Sequence, residues 1–142
     1  MIVDANLLLY AKISDYPEHD SARDWLDRVL GGPERVGLPW QSLLAFVRIG
    51  TNARVFASPM ASVDAWAQVE RWLDAPSAFV PIPGSEHRRA LGPLLLAGVT
   101  GPRVSDAHLA ALAIEHGLEL CSTDADFARF AGLRWRNPIA GG

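Results

Sequence analysis

At 142 residues the chain is long enough for one domain with its own core and too short for two of ordinary size. Its 49% apolar and 20% charged residues exclude a disordered chain, and a net charge of -3 gives no overall attraction to nucleic acid. Any anionic partner must therefore meet a local patch of the twelve arginines that, with Lys12, make up the basic residues.

The first apolar run, residues 1–3, turns polar at Asp4-Ala5-Asn6 and continues as LLLYA, the pattern of a buried strand feeding a short helix. With no basic n-region, and with Asp4 and Asn6 inside it, this stretch is expected to be structure rather than a leader. Residues 17–30 place Ala22, Trp25, Leu26, Val29 and Leu30 at helical spacing, and Gly31-Gly32-Pro33 stops that helix. A second strand is expected over 35–38. A third helix follows over 41–52, where Leu43, Leu44, Phe46, Val47 and Ile49 are too dense for a fully exposed surface. Ser58-Pro59 marks a turn, and Ser62 is expected to cap a fourth helix buried through Ala65, Trp66, Val69, Trp72 and Leu73.

A third strand over 78–82, a helix over 85–96 and a glycine-proline loop over 98–102 come next. The sixth helix should open at Val104 or Ser105 and run to His116, with Gly117 as its stop. A strand over 118–122, a helical turn over 124–130 and a short strand over 133–135 complete the order, leaving only Gly141-Gly142 as a tail. Strands alternating with helices in this way predict an α/β fold: one domain over 1–142, with a mostly parallel sheet of about five strands covered by helices on both faces.

Ligand sites in such sheets gather beyond the carboxyl ends of the strands, where Asp4 and Asp124 fall. Asp106 sits in the first turn of the helix leading into the fourth strand, and Asp126 follows in the next turn. Singly, Asp106 reads as a helix N-terminal acid, Asp124 as a cap and Asp126 as a solvated surface acid. If the first and fourth strands are neighbours, however, these carboxylates converge and cannot all stay ionised without a counter-charge. An oxygen-only cluster suits Mg²⁺ or Mn²⁺ better than Zn²⁺, and such a site points to hydrolysis of phosphate esters.

His108 and His116 read as structural, and Cys121 as a buried thiol with no disulfide partner. Trp40 and Trp135 are the tryptophans that could stack on bases, although core placement is favoured. A phospho-acceptor receiver domain would need a lysine beside the acids, and Lys12 is the sole lysine.

The segments IVDANLLLYA and VSDAHLAALAIEHGLELCSTDADF, with PWQSLLAFVRIGTNARVF between them, resemble the PIN-domain family, in particular the VapC toxins of bacterial type II toxin-antitoxin modules. The resemblance implies a three-layer α/β/α PIN-like fold and a Mg²⁺-dependent ribonuclease that cuts RNA, often tRNA or rRNA. It also implies a homodimer neutralised by a VapB-like antitoxin; no membrane partner is expected, and the protein is expected in the cytoplasm. By the same resemblance Asp4 and Asp106 are the main metal ligands, completed by Asp124 and joined by Asp126. Asn6, Ser105 and Thr123 would orient the carboxylates, and Arg48, Arg54 and Arg103 are candidate phosphate contacts. The family's glutamate on the middle helix falls near Phe46, with no acid from Gln41 to Ala57. That departure raises the alternative of a weakened PIN-fold module that mainly binds antitoxin or RNA.

Overall fold

The computed structural model describes residues 1–141; Gly142, the last residue of the expected domain and tail, lies outside the described residues. In chain order the elements are β1 (Ile2–Val3), α1 (Ala5–Lys12), α2 (His19–Leu30), β2 (Val36–Gly37), α3 (Trp40–Gly50) and α4 (Ser62–Leu73). They continue with β3 (Ala78–Phe79), α5 (His87–Leu96), α6 (Arg103–His116), β4 (Leu120–Cys121), a 3-10 turn (Ala125–Arg129) and β5 (Trp135–Arg136). The five strands form one parallel sheet in the order β3-β2-β1-β4-β5. The expected alternation of strands and helices is present, but each strand is only two residues long. The chain leaves the sheet at once at its carboxyl ends, as at Asp4, which already caps α1.

Side chains alternate across a strand, and this divides the core. Val3 and Cys121 face the layer built by α1 to α4, with Leu7, Trp25, Leu43, Phe46 and Val69, while Ile2 and Leu120 face α5 and α6, with Leu94, Leu109, Leu112 and Phe127. Because Ile2 pairs with Leu120 and Val3 with Cys121, the register keeps each apolar pair on one face. The result is the three-layer α/β/α arrangement. Cys121 is fully buried, and burial pushes its thiol up to about 11.

Two local expectations are corrected. Ala61, in extended conformation, takes the N-cap of α4 without a side-chain bond, so Ser62 is the first helical residue and its hydroxyl caps nothing. Trp66 does not join the buried stripe: Ala65, Val69 and Trp72 recur one helical turn apart and face inward, whereas Trp66 is rotated away and 45% exposed. It stacks instead on Trp40 of α3, with ring centroids 6.2 Å apart and planes 10° from parallel. Gly117 closes α6 in the left-handed conformation, φ 66°, which a side chain would strain.

Candidate active site

Parallel pairing of β1 with β4 sets their carboxyl ends side by side, and the Asp4 amide donates to the Cys121 carbonyl at 3.0 Å. Asp4 caps α1, its Oδ1 accepting from the Ala5 amide at 2.8 Å. Its Oδ2 accepts from the Ser122 hydroxyl at 2.7 Å. Ser122 is fully buried at the end of β4, and its Oγ also accepts from Asn6 Nδ2 and from the Asp124 amide, both at 3.1 Å. The Trp135 indole donates to the Ser122 carbonyl at 3.1 Å, tying β5 to the same residue. One hydroxyl thus joins the loop after β1 to the loop after β4.

Asp124 opens the 3-10 turn, its Oδ1 accepting from the Asp126 amide at 2.9 Å. Asp126 is held by Arg103, whose Nη1 lies 2.8 Å from its Oδ2 while Nη2 donates to its carbonyl at 3.2 Å. Asp106, in the first turn of α6, faces the same space. Burial above all raises the Asp4 carboxyl from its ordinary value; the Ser122 and Ala5 hydrogen bonds pull it back, and the charges of Asp106 and Asp124 push it further up. Asp106 is likewise raised, first by burial and then by Asp124, with Arg103 opposing and Asp126 adding. Asp4 and Asp106 therefore each sit where neighbouring negative charge disfavours their ionised form. Among the described residues, no three His, Cys, Asp or Glu side chains are placed to hold one ion directly.

The cluster opens into a cleft of about 610 Å³. Asp4, Ser105 and Asp106 line one side, and Gln41, Ser42, Ala45 and Arg48 of α3 line the other. Gln41 Nε2 donates to the Ser105 carbonyl at 2.9 Å, closing the gap between α3 and α6. Gln41 Oε1, Ser42 Oγ and Asn6 Oδ1 are buried without a hydrogen-bond partner, so the site holds polar oxygens that the protein itself does not satisfy.

The sequence-derived residues separate accordingly. Asp4, Asp106, Asp124 and Asp126 are drawn into one neighbourhood, with Asn6 bonded to its hub. Ser105 takes part through its carbonyl, and Thr123 makes none of the hydrogen bonds that hold the aspartates; the orienting hydroxyl belongs to Ser122. Its signal in the sequence was a polar residue ending an otherwise apolar strand. Arg48 lines the cleft outside any ion pair among the described residues, Arg103 is committed to Asp126, and Arg54 lies exposed beyond α3, outside the cleft. Phe46 is fully buried against Trp72, so the helix turns position 46 into the core and not toward the acids. The residues that α3 does present to the cleft include no acid. His108 bonds to His87 and His116 to the Ile82 carbonyl, both structural, and Lys12 ends α1 outside the cleft.

A model of the PIN domain matches residues 1–133. The chain belongs to the PIN-domain family. Ribonuclease VapC37 of Mycobacterium tuberculosis (strain ATCC 25618 / H37Rv) is 46% identical to this PIN domain over 140 residues, covering 98% of the chain and 97% of the relative. Ribonuclease VapC33 of the same organism is 42% identical over 140 residues, covering 98% of each. A crystal structure of VapBC2 from Rickettsia felis bound to a DNA fragment from their promoter superposes with a TM-score of 0.66 at 17% identity, covering 95% of this chain and 96% of that one. That likeness places the PIN fold along nearly the whole length.

Proposed function

We propose that this PIN domain, acting as one unit, is a metal-dependent endoribonuclease toxin that cuts tRNA or rRNA and is neutralised by a VapB-like antitoxin. The observation that carries the reading is geometric: Asp4 and Asp106 line one open cleft, and the Ser122 hydroxyl that holds the Asp4 carboxylate also accepts the amide of Asp124. Such a cluster invites a hard cation, and its all-oxygen chemistry suits Mg²⁺ or Mn²⁺. Asp4 and Asp106 would hold the ion, with Asp124 and Asp126 completing its surroundings. Because no closed trio of donors is preassembled, water would fill the remaining positions, as Mg²⁺ prefers. The bound ion supplies Lewis-acid charge and a more acidic water at neutral pH.

The chain's own residues supply the rest. Ser122 fixes the Asp4 carboxylate, and the Arg103 pair holds the loop that carries Asp124. Arg48, free of ion pairs among the described residues and on the wall opposite the acids, is placed to take a phosphate of the strand. Arg103, spent on Asp126, acts by positioning.

One observation favours a second reading, a weakened module that mainly binds antitoxin or RNA: the cleft face of α3 carries Arg48 and no carboxylate. Mg²⁺-dependent RNA cleavage by purified, antitoxin-free protein excludes it. The decisive variant is Asp4→Asn, which keeps an oxygen to cap α1 and removes the charge. Cleavage and growth arrest should fall by more than the roughly 100-fold that loss of an outer-shell partner costs a metal site, with an unchanged circular dichroism spectrum. Full activity in that variant ends the proposal.

A further inference from the structure

A second cleft, of about 560 Å³, lies between α5, α6 and the segment from the end of the 3-10 turn, Arg129, to Ala131. Arg103 belongs to its wall, and the same guanidinium pairs with Asp126, so a single ion pair joins this cleft to the acidic cluster. Its lining is of two kinds. Pro93, Leu94, Val99 and Phe130 make an apolar floor, while Arg89, Arg103 and Arg129 bring three cations and no lining residue is a carboxylate.

Two of those cations are available. Arg129 is exposed and outside any ion pair among the described residues, and Arg89 meets only Glu86, at 3.6 Å on an exposed helix face, a contact that water screens. The Arg103 guanidinium lies 5.7 Å from the centre of the Phe130 ring, so charge and aromatic surface already meet in the wall. An apolar floor under a cationic rim with no balancing acid calls for a ligand with a flat apolar body and an anion at its edge, which describes a nucleotide.

Resting on the RNA-cutting reading, we propose that this cleft seats a nucleotide of the same RNA strand, flanking the one held at the acidic site. Its base lies against Pro93, Leu94 and Phe130, and its phosphate is held by Arg89 and Arg129. The Arg103–Asp126 pair is then the partition over which the strand passes.

The test is the anisotropy of a fluorescein-labelled twelve-nucleotide single-stranded RNA titrated with full-length protein in chelator, where binding is read without cleavage. In the Arg89→Ala/Arg129→Ala variant the affinity should fall about tenfold. The slope of log affinity against log salt should become shallower by about 1.4, roughly 0.7 for each lost contact to a single strand. Arg28→Ala/Arg71→Ala, removing two exposed charges from α2 and α4 on the opposite face of the sheet, should change affinity less than twofold. Equal losses in both variants, or none in the first, overturn the inference. So does displacement of the twelve-nucleotide RNA by millimolar adenosine monophosphate, which marks a free-nucleotide pocket, or loss of poly-glutamate binding alone, which marks an acidic protein partner. The ribonuclease reading fails separately, if wild-type protein with Mg²⁺ leaves RNA intact.

Discussion

Ser122 shows how much of an acidic site can hang on one neutral hydroxyl. It gives its proton to Asp4 and receives donors from Asn6 and Asp124, so it fixes the orientation of one carboxylate and the start of the loop carrying two more. Asp106 has no such support, and its carboxyl is raised mainly by burial and then by the neighbouring Asp124 charge. A carboxyl raised on folding contributes stability that is present in full below the ordinary aspartate value and lost as pH rises through the raised one. At neutral pH the ionised Asp106 therefore works against the fold of the metal-free protein. Asp106→Asn should raise the melting temperature in chelator at pH 7, and the gain should vanish below about pH 4, where the wild-type carboxyl carries its proton. Calorimetry at both pH values checks the sign. A lower melting temperature at pH 7 would mean that Asp106 makes a stabilising contact and not a repulsive one.

Among the elements, α5 is tied to α6 by a part-buried polar chain as well as by apolar packing. Glu115 accepts from the Gly84 amide at 3.1 and 3.3 Å and from His87 Nδ1 at 2.9 Å, and His87 Nε2 lies 3.0 Å from His108 Nδ1. The Glu115 side chain is only 4% exposed, although the Gly84 amide it holds is open to solvent. Glu115→Ala should cost about 1 to 2 kcal/mol in urea unfolding, since it leaves the part-buried His87 imidazole without its partner while the exposed Gly84 amide turns to water, and hydrogen exchange should quicken along α5 before the rest of the fold. Equal protection of α5 in both proteins would show that apolar contacts alone hold it. This clamp was hidden in the sequence: His87 and Glu115 lie in different helices, and His108 could be recognised only as structural. Helices α2 and α4 were legible because their apolar residues recur at helical spacing, and the end of α6 because Gly117 marks it. Trp66 and Ser62 were misplaced because helix phase and cap geometry depend on a single residue of register. Phe46 shows the same sensitivity, since a shift of one position along α3 separates the core from the cleft.

At the scale of the molecule, the acids at positions 4, 106 and 124 meet only because β1 and β4 are paired. The alternating element order made the parallel sheet legible, and the strand-end aspartates marked where a site should form. The adjacency of β1 and β4 was a condition the sequence could state but not decide, because strand order depends on contacts between distant segments. The Arg89–Arg129 cleft was invisible for the same reason, its two solvent-facing cations lying on different elements. A cluster assembled only by folding ties metal binding to stability: an ion that binds the folded cluster and not the extended chain stabilises by mass action, about 2.7 kcal/mol at one hundred times its dissociation constant. For a chain of this size that corresponds to a melting point higher by about 5 to 10 °C. Since no three donors stand ready to close on one ion, the rise should need millimolar Mg²⁺. Scanning calorimetry across a Mg²⁺ series should show it in the wild type and not in Asp4→Asn, with sodium chloride of equal ionic strength as the control. A flat response in the wild type, or the same rise in the variant, would separate the carboxylate cluster from the metal.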